Sequence, residues 1–189
     1  MAIMRTLPGM RVIAPCDATE LRLAMRAVLK DNSPAYIRIG KKGEANIHST
    51  PPKFKIGEAI IVQPGNDVAL LCAGNMMSET LKASDILSKN GISAEVVSFH
   101  TVKPLDEIYL KSASARFKLL ITVEEHSRIG GFGSAVSEWR SFTNCNVQQI
   151  ILGTEDEFMH EVGSQSYARK KFSLTAENIA ALVVESLKR

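Results

Sequence analysis

The sequence predicts an α/β fold, a mixed, mostly parallel sheet with helices on both faces. Three observations predict it. Apolar runs of strand length alternate with amphipathic stretches of helix length along most of the chain. Two early runs, "EAIIVQ" and "DVALLCAG", are separated only by Pro64, Gly65 and Asn66, a hairpin-like turn that predicts one antiparallel pair. The later runs are spaced by helix-length segments, as parallel neighbours require.

The elements follow in order. "RVIAP" reads as a strand, "DATELRLAMRAVLKDN" as a helix and "AYIRIG" as a second strand. Asp17 is the expected N-cap, with Glu20 three residues on completing a capping box. Leu21, Met25, Val28 and Leu29 recur at helical spacing and mark one apolar face. Pro34 ends the helix by restricting the residue before it. "GKKGEANIHSTPPKFKIG" then breaks the pattern, since Pro51 and Pro52 donate no backbone hydrogen bonds and stiffen the chain. A linker over 46–55 is expected here, between a unit spanning 1–45 and a domain spanning 56–189. Beyond the early antiparallel pair, a helix is expected from Ser78 to Asn90, stopped by Gly91. "AEVVSFH" is a strand, a short helix follows Pro104, and "FKLLITVEEH" is a buried strand. A helix over Gly133–Phe142, the strand "VQQIILG" and the helical "TAENIAALVVESLKR" complete the sheet and its cover.

Composition excludes several classes. The 189 residues are 45% hydrophobic and 23% charged, and the net charge of +3 is spread over interspersed lysines, arginines and acids. Without a basic stripe interleaved with aromatics, nucleic acid is not an expected partner. No apolar run approaches the roughly 20 residues that span a bilayer, and the N-terminus does not read as a signal peptide. Cys16, Cys72 and Cys145 are odd in number and far apart, so reduced thiols in the cytoplasm are expected. No metal site is expected, because no cysteine and histidine stand at ligand spacing.

Candidate sites gather at strand ends, where open α/β sheets bind ligands. Glu124, Glu125 and His126 close the "FKLLITVEEH" strand. Adjacent strand residues point to opposite faces, so the two carboxylates cannot face each other as an acid–base pair. One of them is expected to accept hydrogen bonds at a loop or a subunit contact. Gly130, Gly131 and Gly133 open the next helix. A dinucleotide site is one reading, but Val136 stands where that fingerprint wants glycine or alanine, and no P-loop lysine is present. The other reading is close packing of the helix on neighbouring backbone. His100, Lys103 and Asp106 leave another strand, with Pro104 in the first helical turn and Thr101 or Asp106 as cap. Arg38, Lys41 and Lys42 follow the strand "AYIRIG" and suit either an anionic substrate group or a solvated linker. His48 in the linker and His160 in a polar helical stretch carry no specific signal. No catalytic residue is assigned.

Taken together, "MRTLPGMRVIAPCDATELRLAM", "PAYIRIG", "SFHTVKPLD" and "ITVEEHSRIGGFGSAV" resemble the transketolase family of thiamine diphosphate enzymes. The similarity runs through nearly the whole chain. It is nearest to the C-terminal half of small or split transketolases and of 1-deoxy-D-xylulose-5-phosphate synthase.

The resemblance implies that residues 1–45 are the tail of a pyrimidine-binding domain and that 56–189 form the transketolase C-terminal domain. It also implies that the Gly-Asp-Gly motif for Mg²⁺ and diphosphate, and the glutamate that activates the cofactor, lie on protein outside this sequence. This chain alone would bind no cofactor, although the complete enzyme would need thiamine diphosphate and Mg²⁺. The apolar face of the helix in "DATELRLAMRAVLKDN" would lack the strands it normally packs on. A homodimer, a separate thiamine-diphosphate-binding section, or both are the implied partners. The family's arginine for the sugar phosphate falls seven residues after Pro34, at Lys41, with Arg38 nearby. Glu124, Glu125, His126 and His100 would hold interfaces or loops. The implied reaction is transfer of a two-carbon ketol unit between sugar phosphates. A stand-alone binding or assembly module, a deoxyxylulose-phosphate synthase part and a 2-oxoacid dehydrogenase β-type subunit part are the alternatives.

Overall fold

The computed structural model describes residues 1–41 and 43–188. Lys42, one of the three cations after "AYIRIG", lies outside the described residues. The chain builds two sheets. β1 (Arg11–Ile13), β2 (Ala35–Ile37) and β6 (Thr101–Lys103) form a three-stranded sheet in the order β2-β1-β6. β3 (Ile60–Gln63), β4 (Val68–Ala73), β5 (Ala94–Ser98), β7 (Leu119–Ser127) and β8 (Gln148–Thr154) form a five-stranded sheet in the order β3-β5-β4-β7-β8. Helices α1 (Ala2–Thr6), α2 (Ala18–Leu29), α3 (Met77–Lys89), α4 (Glu107–Arg116), α5 (Phe132–Phe142), α6 (Gln165–Lys171) and α7 (Ala176–Leu187) complete the fold.

All six residues of β4 are buried, because the strand has parallel partners on both edges and helices on both faces. Val68, Leu70 and Cys72 face α3 and α7, where they meet Met76, Leu87, Ile179 and Val183. Ala69, Leu71 and Ala73 face the other way, into a cluster with Leu110, Phe132, Val136 and Trp139 of α4 and α5. Val12 and Ala14 join this second cluster, which anchors the small sheet on the large one.

The antiparallel pair exists, but not where the Pro-Gly-Asn turn suggested. β3 pairs with β5, Ile60 opposite Ser98 and Ile61 opposite Val97, and not with β4. Both edges of β4 are taken by β5 and β7, so β3 is displaced one position outward. The loop instead ties to the start of β5. Asn66 and Asp67 N–H donate to Ser93 O at 3.0 and 2.8 Å, and Ser93 N–H returns a bond to Asp67 Oδ2 at 2.7 Å.

β1 and β2 are parallel, joined through α2. Asp17 caps α2 by accepting from Glu20 N–H at 2.8 Å. The Glu20 side chain reaches back one residue further than a capping box requires, to Cys16 N–H at 2.8 Å. The apolar face read from periodicity is only partly covered: Met25 is 50% and Leu29 81% exposed, while Glu20 and Ala24 are the buried positions. β6 follows "SFH" directly and pairs antiparallel with β1, so Thr101 lies in a strand and Asp106 alone caps α4, accepting from Tyr109 N–H at 2.8 Å. Pro104 therefore precedes the helix instead of sitting in its first turn. α3 ends as expected, with Gly91 at φ +75° and Ile92 N–H donating to Leu87 O at 3.0 Å. His160 lies in a loop and not in a helix.

Candidate functional site

β7 carries its two carboxylates to opposite sides. Glu124 is fully buried beneath the start of α5 and accepts from Phe132 N–H and Gly133 N–H, both at 2.7 Å. These are two of the donors that a helix N-terminus leaves unpaired. Burial pushes the Glu124 carboxyl up to about 7, against the pull of the Gly133 and Phe132 amides and of Arg38 and Arg5. The glycines before α5 serve this contact. A Cβ on Gly131 would meet Glu124 Oε2 at 2.2 Å, and one on Gly133 would meet Ile151 Cγ2 at 2.4 Å and Thr122 Oγ1 at 2.8 Å. The position that a bound phosphate would occupy in a dinucleotide fold is filled by the protein's own carboxylate.

Glu125 turns the other way. It accepts from Asn75 Nδ2 at 3.2 Å, from Gln165 Nε2 at 2.9 Å and from Arg169 Nε at 2.7 Å. Burial raises its pKa, but the bonds from Gln165, Arg169 and Asn75 outweigh that and hold it below the ordinary carboxylate value. The residue thereby fastens α6 to the end of β7. His126 is half-buried; its Nδ1 donates to Ser127 O at 2.8 Å, and its Nε2 accepts from the Met1 amine at 3.2 Å. Burial first, then the neighbouring positive groups, lowers its pKa.

His100 is completely buried at the end of β5. Its carbonyl accepts from Ala14 N–H at 2.8 Å, its Nδ1 lies 2.9 Å from Thr101 Oγ1, and its ring stacks on Phe54 with centroids 4.0 Å apart. It holds β1 and the segment before β3 in place. Lys103 donates to Arg5 O and Leu7 O at 2.8 and 2.7 Å, fixing the chain after α1.

A cavity of about 470 Å³ opens beyond the ends of β1, β2, β4 and β7. Arg38, Lys41, Asn75, Glu125 and Gln165 supply its polar lining. Strand geometry would send Arg38 and Lys41 to opposite faces. β2 ends at Ile37, however, and the chain bends so that both line this one cavity. Arg38 Nη2 donates to Glu125 O at 2.7 Å, bridging the small sheet to the large one. Lys41 is exposed at the rim. Asn75 and Gln165 escaped sequence reasoning, since neither sits in a motif and they are 90 residues apart.

The cavity suits a polar, anionic ligand. Among its described lining residues there is no serine, threonine, cysteine or histidine, and Arg38, Lys41 and Glu125 are its charged side chains. The residues do not fit the thiamine diphosphate and Mg²⁺ that the family resemblance implies for a complete enzyme. The glycine-rich start of α5 is occupied by Glu124, and among its described lining residues the cavity offers a single carboxylate, already bonded by three side chains. Among the described residues, no helix is long and apolar enough to cross a membrane.

The family profile described as "Transketolase, C-terminal domain" matches residues 57–179. The 6-deoxy-6-sulfo-D-fructose transketolase subunit SqwH of Clostridium sp. (strain MSTE9) is 38% identical over all of this chain and 58% of that protein. The putative transketolase C-terminal section of Methanocaldococcus jannaschii is 34% identical over all of this chain and 59% of its own length. A solved split-gene transketolase, an inactive beta4 tetramer, superposes with a TM-score of 0.92 at 33% identity, covering 99% of this chain and 61% of that one. The chain thus spans somewhat under two thirds of the length of these three relatives. With its five-stranded sheet, buried Glu124 and matching profile, the chain belongs to the transketolase family and carries that family's C-terminal domain.

Proposed function

We propose that this chain supplies the C-terminal section of a thiamine diphosphate enzyme of the transketolase type, which moves a two-carbon ketol unit between sugar phosphates. Within that enzyme it acts as scaffold and contact surface and is inactive alone. The carrying observation is the pairing of a cavity lined by Arg38 and Lys41, with no serine, cysteine or histidine among its described lining residues, with a helix, α2, whose Met25 and Leu29 stand exposed. Relatives named as subunits or as a C-terminal section support this reading.

The catalytic groups, thiamine diphosphate and Mg²⁺ belong to a separate section carrying a Gly-Asp-Gly motif, and α2 is the face that docks on it. Lys41 binds the substrate's phosphate as a point charge, and Arg38 positions the cavity wall through Glu125 O. The chain also pairs with a second copy of itself; a split-gene relative solved as a beta4 tetramer supports self-association. Three free cysteines fit a cytoplasmic setting.

Co-purification with the Gly-Asp-Gly section tests the assembly. A stable complex that gains ketol transfer is the expected result, and a self-sufficient homodimer with no affinity for that section favours the assembly-module reading instead. In the active complex Lys41→Ala is expected to raise KM for phosphosugars about tenfold with kcat little changed. An unchanged KM removes Lys41 from the phosphate site.

A further inference from the structure

The fold brings His48 to two residues that stand four apart in sequence, Cys16 and Glu20. Cys16 lies three residues beyond β1, just before the α2 cap, Glu20 in the first turn of α2, and His48 in the segment between β2 and β3. Their ligand atoms all lie within 4.8 Å of one another. Cys16 Sγ is 4.0 Å from His48 Nε2, and His48 Nε2 is 3.1 Å from Glu20 Oε1. Tetrahedral Zn²⁺, with bonds of about 2.0 Å to N and O and 2.3 Å to S, sets ligand atoms about 3.3–3.6 Å apart. The three atoms therefore need only small shifts to enclose such an ion.

The surroundings fit the same conclusion. The Cys16 and Glu20 side chains are shielded from solvent, and the His48 side chain is 9% exposed. The second carboxylate oxygen of Glu20 is held by Cys16 N–H, and the His48 backbone is held by Asp17 Oδ2 at 3.0 Å. Outer bonds of this kind orient metal ligands in advance. One buried carboxylate oxygen nearby, Glu44 Oε1, has no hydrogen-bond partner, and Ser98 and His100 both act on the Glu20 carboxyl. Glu44 and Cys16 line a cavity of about 250 Å³ that gives access from solvent. Thiolate, imidazole and carboxylate together suit Zn²⁺ better than Mg²⁺ or Ca²⁺, which take oxygen ligands.

We infer that Cys16 Sγ, Glu20 Oε1 and His48 Nε2 bind one Zn²⁺, with the fourth position reached through the Glu44 cavity. Binding releases the Cys16 thiol proton to solvent, and a histidine proton if His48 carries one. The ion clips the linker onto the start of α2. The inference does not depend on the proposed function.

The test uses the full chain, stripped with a chelator and titrated with Co²⁺ and then Zn²⁺. One equivalent of Co²⁺ should give tetrahedral visible bands and a thiolate charge-transfer band, both displaced by Zn²⁺, and Zn²⁺ should raise the melting temperature. Cys16→Ser should abolish the charge-transfer band, whereas Cys145→Ser, at a half-buried site elsewhere, should retain it. If Cys16→Ser does not fold, His48→Gln in the irregular linker decides, with affinity expected to fall tenfold or more. Absence of stoichiometric binding at micromolar free metal overturns the inference. So does a charge-transfer band that survives Cys16→Ser, or unchanged affinity in His48→Gln.

Discussion

The two sheets of this molecule are finished to different degrees. In the five-stranded sheet β4 is closed on both edges and both faces, and helices α3, α7, α4 and α5 cover what the strands expose. The three-stranded sheet is short, and its helix α2 shows Met25 and Leu29 to solvent. The large sheet's central strand is sealed, although Ile108 on α4 and Phe142 on α5 are exposed as well; among the described residues, the small sheet has no second layer of helices over α2. The exposed apolar face of α2 in the smaller layer is the surface proposed above for docking.

Truncating the sealed layer should have the largest effect. Leu71→Ala, at a fully buried position in β4, is expected to cost about 2–5 kcal/mol in urea denaturation. A cost below 1 kcal/mol would mean that the large sheet is not the stabilising core. Next comes the strand-to-helix corner. Glu124→Ala leaves two buried N–H groups without acceptors and is expected to cost about 2 kcal/mol or more, read by the same measurement.

The two carboxylates should also differ in sign with pH. Glu124, raised from 4.5 to about 7, keeps its proton in the folded state where the unfolded chain has lost it. Its contribution therefore falls as pH rises from about 4.5 to 7 and is level above that. Glu125 is lowered below 4.5, so its contribution is full above that value and is lost as pH falls through the lowered one. Glu125→Gln should flatten the acid limb below pH 4.5 by less than about 1 kcal/mol, since the group is partly exposed and screened. An acid limb identical to the parent's would contradict the hydrogen-bonded role given to Glu125. The smallest stability effect belongs to the open layer. Leu29→Glu should shift stability by no more than about 0.5 kcal/mol yet weaken docking of the catalytic section. Unimpaired docking would remove α2 from the interface.

Much of this was legible because long elements announce themselves. The β4, β7 and α3 segments carry their period over enough residues to be read directly. β6 was not legible, being three residues long and followed at once by Pro104. The partner of β3 was not legible either, because adjacency in sequence says nothing about which edge of β4 is already filled. For α2 the period revealed an apolar face but could not say what covers it. At the site, the strand–glycine–helix spacing pointed to Glu124 and the glycines. The cavity adds Asn75 and Gln165 from distant segments to the Arg38 and Lys41 that the sequence marked, and His48 reaches Cys16 and Glu20 only when the chain folds back on α2. Groups that converge through tertiary folding leave no local pattern to read.

The central claim is that this chain is scaffold and docking surface, with the catalytic groups supplied by another section. Calorimetric titration of the purified chain with thiamine diphosphate and Mg²⁺, followed by a ketol-transfer assay before and after adding the Gly-Asp-Gly section, tests it directly. The account predicts no heat and no turnover from the chain alone, with turnover on mixing. Micromolar cofactor binding, or ketol transfer by the chain alone, would contradict it.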